Sequence, residues 1–242
     1  MVKDIFNYPP FEFYKLYWRI NGGYMKIVIG LVGVKTSGKS TVARMINEFF
    51  ANVREAAIAD KLKNVSADVF GLNREQFDRQ DLKEIPFETP IVLTQKYISL
   101  VLSGFNIDYS NELQDKLHKL EGLELTSPRH IAQIVGTEIL RSSGDADIHL
   151  KNTPLKDGIN VVSDIRFKNE LEYFTKLEGV KFLPLYISRQ VAEDKIAPNS
   201  HVSETELFTF KDSCTRIDNN GSFLDTERQV KTAIDKFLLG VK

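Results

Sequence analysis

The chain has 242 residues, 42% of them hydrophobic and 27% charged, with 32 Lys and Arg against 33 Asp and Glu. Those values suit a globular protein with a sizeable core, as one large α/β domain or a core carrying an insertion, and exclude the disordered and fibrous classes. The near-neutral balance leaves no global positive charge to hold a nucleic-acid backbone, although it permits a local basic pocket for a few phosphates.

Residues 1–24 stand apart. "IFNYPPFEFYKLYW" is dense in aromatics, and "INGG" breaks it. The segment reads either as an appendage before a core that begins at Met25, or as a docking segment whose aromatics pack on the domain or on a second subunit in a homodimer. From Met25, "MKIVIGLVGV" is a continuous β-branched run, the pattern of a strand buried on both faces of a parallel sheet. "KSTVARMINEFF" then carries Val42, Met45, Ile46, Phe49 and Phe50 at helical spacing. "VREAAIA" reads as a second strand, and "DKLKNVSADVFG" as a helix ending near Gly71.

Residues 73–127 show no clean period. "IVLTQKYISLVLSGF" fits a helix or a strand, "NELQDKLHKLEG" a polar helix, and the whole reads as an insertion over the core. "SPRHIAQIVGTEILRSSG" opens with Ser127 as N-cap and Pro128 at the first helical position, and Ile131, Ile134, Val135, Ile139 and Leu140 form one apolar stripe. "GINVVSDIRF" is a strand ending in charge, "NELEYFTKLEG" a helix, "VKFLPLYIS" and "CTRID" strands, and "SFLDTERQVKTAIDKFLLG" a closing amphipathic helix. Strands alternating with helices imply an open parallel sheet with right-handed crossovers.

The stretch "GVKTSGKS" between the first strand and its helix matches G-x-x-x-x-G-K-S, a phosphate-binding loop. Its glycines let successive N–H groups of Gly33, Val34, Lys35, Thr36, Ser37 and Gly38 turn toward a phosphate tail, and the following helix adds its dipole. Lys39 suits the β- and γ-phosphates of ATP, Ser40 a Mg²⁺ ion, and Thr41 the α-phosphate end. No N-K-x-D for guanine is present, and no Asp-Glu pair of the motor ATPases. Instead "VVSDIRF" places Asp164 at a strand's carboxyl end, where it can hold Mg²⁺ through water. Two residues on, Arg166 is suited to the phosphate of a second substrate. A surface ion pair is the alternative for these two. Arg129, Arg141 and Arg189 fall at element ends or loops, as expected where positive charge must surround a moving phosphoryl group. Residues 188–205 are long, polar and hinged by Pro198, which reads as a lid that excludes water or as a plain surface loop. His118, His130 and His201 have no partner arrangement for metal or nucleophilic work.

One cysteine, Cys214, excludes an internal disulfide, and no spacing suggests zinc, so a reducing compartment is expected. The apolar runs are too short to span a bilayer, and the charged, aromatic start does not resemble a signal peptide. The expectation is a cytoplasmic protein, in the host cytoplasm if viral, acting on a small molecule without nucleic acid or membrane.

Taken in order, "GVKTSGKST", "ADKLKNVSADVFGLNREQFDRQDLKE", "RHIAQIVGTEILR", "VVSDIRFKNELE", "HVSETEL" and "IDNNGSFLDT" resemble the deoxynucleoside monophosphate kinases of bacteriophages, a branch of the adenylate-kinase-like P-loop kinases. The resemblance runs from about Met25 to the C-terminus. It implies a three-layer P-loop NTPase fold with a parallel central sheet, a helical acceptor-binding insertion (73–127) and a lid. It also implies ATP- and Mg²⁺-dependent conversion of deoxynucleoside monophosphates to diphosphates. By position, Lys39, Asp164, Arg166 and Arg189 carry catalysis, with Ser40 and Asp164 for the metal. Lys63, Lys83, Arg129, Gln133, Thr137 and Arg141, with Arg166, serve the acceptor, and Asn219, Asn220 and Gly221 border the adenine. A kinase for another small phosphorylated metabolite, or a nucleotide-binding regulator, are the competing readings. Two departures stand out. Ser40 follows the loop lysine where many of these phage enzymes have aspartate, and Ile148 and His149 stand where many have tryptophan.

Overall fold

The computed structural model describes residues 26–50, 52–196 and 205–240. The aromatic segment 1–24 and the centre of the expected lid, with Pro198 and His201, lie outside the described residues. The chain divides into two compact units, one from Met1–Ala57 and Leu155–Lys242 and the other from Ile58–Pro154.

The first unit is built on a five-stranded sheet. Its strands are β1 (Lys26–Val32), β2 (Arg54–Ala56), β3 (Gly158–Ile165), β4 (Val180–Ser188) and β5 (Thr215–Asp218). They lie in the order β2-β3-β1-β4-β5, every pair parallel. The β-branched run of β1 earns this central place because both of its faces are covered. Ile27, Ile29 and Leu31 meet Val42, Met45 and Ile46 of α1 (Lys39–Phe49). Phe174 of α2 (Lys168–Lys176) is fully buried and stacks at 5.6 Å on Phe182 of β4. The close approach on that side is possible because Gly30 has no side chain: a Cβ there would lie 2.5 Å from Ile165 and 2.7 Å from Phe182. Val230, Ile234 and Leu238 of the closing helix α4 (Phe223–Gly240) join the α1 side. A short helix α3 (Gln190–Glu193) follows β4.

Because all five strands are parallel, their carboxyl ends share one edge of the sheet. The chain leaves β1 toward β2, returns through β3, then crosses β1 to reach β4, so the order reverses at β1. Ligand crevices form at such reversals, outside the carboxyl ends. The turns after β1, β3 and β4 therefore meet at one place.

The second unit is helical and has its own core. Helices Asp60–Phe70, Gln95–Gly104, Asn111–Leu117 and Pro128–Gln133 surround Phe70, Ile98, Leu102, Leu117, Ile131 and Val135. The unit contains the aperiodic stretch 73–127 and extends beyond both of its ends. The ambiguous "IVLTQKYISLVLSGF" is both things in turn: Ile91–Val92 pairs antiparallel with Glu124–Leu125, and Thr94 then caps the helix by accepting from Tyr97 N (3.4 Å). Ser127 caps its helix as expected, accepting from His130 N (3.2 Å), with Pro128 in the first turn. That helix does not continue regularly: it widens to a π-helical stretch over Ile134–Ile139, and Ile134 is only half-buried while Ile131, Val135, Ile139 and Leu140 are wholly buried. Among the described residues no helix is long and apolar enough to cross a membrane.

Candidate functional site: a phosphate loop and a basic cavity

The loop after β1 is held in a shape that its sequence permits and most others would not. A Cβ on Gly33 would lie 2.6 Å from Ser37 Oγ and 2.8 Å from the Ile187 carbonyl. Gly38 has φ 106°, and Thr36 adopts φ 66°. α1 begins at Lys39 with no side-chain cap and no acidic residue in its first turn, which leaves the positive end of its dipole to an anion. Lys39 Nζ donates to the carbonyls of Gly33 (2.5 Å) and Val34 (2.9 Å), so the ammonium folds back over the loop. Ser37 Oγ is buried and has no hydrogen-bond partner among the described residues. An oxygen-rich ligand would give Ser37 Oγ a partner and compete with the two carbonyls for Lys39. Lys35, Thr36 and Ser40 are exposed, while Thr41 is half-buried.

Parallel pairing of Val32 with Ile165 brings the end of β3, with Asp164 and Arg166, beside the point where the loop leaves β1. Asp164 is half-buried and Arg166 exposed. Glu170 reaches back from α2, its Oε2 accepting from Arg166 N (2.7 Å) and Phe167 N (3.1 Å). Burial drives the Glu170 carboxyl up to about 7, and the Asp164 charge adds to that, against the opposing pull of the two N–H groups and Arg166.

At the end of β4, Arg189 Nη1 donates to the Thr36 carbonyl of the loop (3.4 Å). β4 runs through Ser188 and α3 follows, so the described start of the expected lid is regular structure rather than loop. Asn219 N donates to Ser188 O (2.8 Å), and its amide Nδ2 donates to Ser37 O (2.8 Å) while Oδ1 accepts from the buried Thr226 hydroxyl (2.9 Å). Its side chain is thus a brace under the phosphate loop. Asn220 Oδ1 accepts from Gln190 N (2.8 Å), and Gly221 is exposed.

The second unit, by itself, holds a cavity of about 380 Å³, within the ~300–1,000 Å³ of small-molecule sites. Lys63, Lys83, Arg129, Gln133, Thr137 and Arg141 all line it. Leu62, Phe77 and Pro128 supply an apolar wall, and Asp78 is its one acidic member. Two of the cations are held by carboxylates: Lys63 by Asp78 (2.8 Å) and Arg129 by Glu84 (3.2 Å). Burial raises the Asp78 carboxyl, but hydrogen bonds and charge from Lys63 and Arg74 outweigh it and hold its pKa below the ordinary value. Thr137 Oγ1 donates to the Gln133 carbonyl (2.6 Å).

His149, which the sequence already marked with Ile148 as a departure from the related kinases, lines the cavity, its Nε2 3.2 Å from the Gly136 carbonyl, while Ile148 is buried in the unit's core. Burial lowers the His149 pKa, with the Arg141 charge assisting and the bond to the Gly136 carbonyl opposing. Sequence reasoning missed Glu84, Asp78 and Thr226, which have no motif and are marked only by their place beside basic or loop residues, and Glu170, which is the N3 residue of a capping box at the start of α2. His118 makes a surface pair with Glu121 (3.3 Å), and His130 Nδ1 accepts from Thr126 N (3.3 Å), both local structural contacts.

No family model matches the chain. A solved dephospho-CoA kinase from Campylobacter jejuni aligns with 89% of this chain and 98% of its own, at 14% identity and a TM-score of 0.39, too low to carry an argument. The curated relatives are more informative. The chain is 25% identical over 211 residues to a protein of Acanthamoeba polyphaga mimivirus provisionally named a deoxynucleotide monophosphate kinase, covering 86% of this chain and 96% of the relative. It is 27% identical over 214 residues to the deoxynucleoside-5'-monophosphate kinase of Escherichia phage T5, covering 76% and 86%. The resemblance carried by the loop, the "VVSDIRF" strand end and the segments between them is thus matched by two viral proteins bearing this kinase name, each over most of its length.

Proposed function

We propose that the protein transfers the γ-phosphate of ATP to a deoxynucleoside monophosphate, supplying diphosphates for DNA precursor synthesis. The observation that carries this reading is the cavity of the second unit: six residues expected at an acceptor site, scattered from Lys63 to Arg141 in sequence, line one pocket. Four of them are cationic, which suits a substrate that carries a phosphate of its own. The names of the two viral relatives support the same chemistry.

In this reading residues 25–242 form the kinase domain, 73–127 lie in its acceptor region, 188–205 close over the phosphates, and 1–24 are an extension. Lys39 exchanges the Gly33 and Val34 carbonyls for β- and γ-phosphate oxygens, and the loop N–H groups from Gly33 to Thr41 hold the rest of the tail. Arg189, already reaching Thr36, meets the γ-phosphate, while Arg166 meets the acceptor phosphate. Both stabilise charge as it moves, which is where phosphoryl-transfer catalysis lies. Asn219, Asn220 and Gly221 border the adenine, and Asn219 also braces the phosphate loop through Ser37 O.

The Ser40 hydroxyl and Asp164 carboxylate are hard oxygen donors suited to Mg²⁺, which takes one or two protein ligands with the rest from phosphates and water. Among the described residues there is no group of three or more His, Cys, Asp or Glu that could hold a metal ion. Bound by Ser40 and Asp164, the ion would neutralise phosphate charge. The protein acts in the cytoplasm, the host's if it is viral, on small molecules only.

The test is coupled ADP release with ATP and Mg²⁺ across the four dNMPs and four NMPs. Acceptor-dependent release with one or more dNMPs is expected. ATP binding without any acceptor-dependent release would overturn the reading and favour a nucleotide-binding regulator, and release only with another phosphorylated metabolite would reassign the acceptor.

A further inference from the structure

We infer that Glu170 is a positioning residue that sets Arg166 for the acceptor phosphate. The inference rests on the proposed role of Arg166 but follows from contacts that role does not use. β3 ends at Ile165 and α2 starts at Lys168 with Phe167 as its N-cap, so Arg166 lies in the turn between strand and cap, one residue outside the capping box that Glu170 makes with Phe167. One oxygen of Glu170 accepts from both Arg166 N (2.7 Å) and Phe167 N (3.1 Å). That pins the peptide from which the Arg166 side chain departs, and an arginine whose root is fixed loses less freedom on gripping a phosphate. A second carboxylate holds the same helix start from elsewhere: Glu206 Oε1 accepts from Lys168 N (3.0 Å). Glu206 holds the N–H of Lys168 and neither of the N–H groups that Glu170 holds, so the two glutamates separate helix stability from arginine positioning.

The experiment measures acceptor KM, kcat, ADP affinity without acceptor and the thermal midpoint for wild type, Arg166→Ala, Glu170→Ala, Glu170→Gln and Glu206→Ala. Because a single oxygen makes both contacts, glutamine retains them and alanine does not. Glu170→Ala should raise the dNMP KM about tenfold, in the same direction as Arg166→Ala, with ADP affinity near normal. Glu170→Gln should restore the KM to within about twofold of wild type. Glu206→Ala should lower the midpoint and leave the dNMP KM unchanged. Turnover by wild type with an unmoved KM in Glu170→Ala, or a glutamine variant that behaves like alanine, or a Glu206→Ala KM that rises equally, would overturn the positioning role alone. A wild-type protein with no acceptor-dependent ADP release would overturn the kinase reading and this role with it.

Discussion

Replacing Gly38 by alanine should strain the phosphate loop in two separable ways. At φ 106° an L-residue is disfavoured whatever space it has, at a cost of about 1–2 kcal/mol. The new methyl would also sit on the Asn219 amide, which now donates to Ser37 O at 2.8 Å. Displacing that amide loses about one hydrogen bond, or ~1 kcal/mol, so Gly38→Ala should destabilise the protein by roughly 2–3 kcal/mol. Asn219→Ala removes the Ser37 contact and the Thr226 contact, for roughly 1–2 kcal/mol. In the double variant the methyl no longer meets an amide, so its total should fall short of the sum of the two single losses by about 1 kcal/mol. Urea unfolding of the four proteins measures this cycle without nucleotide, so the result does not depend on activity. Additivity within about 0.3–0.5 kcal/mol would refute the argument that Asn219 is the obstacle, and with it the brace under the loop.

If Lys39 meets the transferring phosphate as proposed, Lys39→Ala should lower kcat by roughly a thousandfold while the protein stays folded; near-normal turnover would reject the loop's role. If the cavity takes the acceptor as proposed, Arg141→Ala should raise the dNMP KM with the ATP KM little changed, and equal effects on both would refute acceptor binding by Arg141. The Glu170 carboxyl has a pKa raised to about 7 in the folded protein, so it favours the folded state fully below its unfolded value near 4.5 and loses that contribution as pH rises through 7. The loss should be of the order of 2 kcal/mol after solvent screening, and the difference in unfolding free energy between Glu170→Gln and wild type should change across that window; a constant difference would refute the shift. Deleting residues 1–24 removes no residue assigned to the site, so kcat should stay within a few-fold in a steady-state assay. Loss of all transfer in a folded, ATP-binding truncation would place the N-terminal aromatics in the active site.

The alternation of β-branched runs with 3.6-period segments determined a parallel α/β sheet, because a strand covered on both faces has to be apolar at every position, as "KIVIGLV" is. The phosphate loop was equally legible, since its function depends on backbone freedom and one ammonium, and both are encoded locally in Gly33, Gly38 and Lys39. What lay between was not. The short helices of 58–154 bury apolar residues drawn from many turns of chain, so no single window of "NREQFDRQDLKEIPFETP" displays a period, and the cavity exists only once Lys63, Lys83, Arg129 and Arg141 are folded together. The pairing of Lys63 with Asp78 and of Arg129 with Glu84, the tie from His149 to Gly136, and the Asn219 brace all join residues through side-chain reach rather than spacing. Sequence names the charges; only the packed chain decides which of them face one another, because a hydrogen bond such as the 2.8 Å contact of Asn219 with Ser37 O is set by where two distant backbones have been brought, and tertiary packing brings them there.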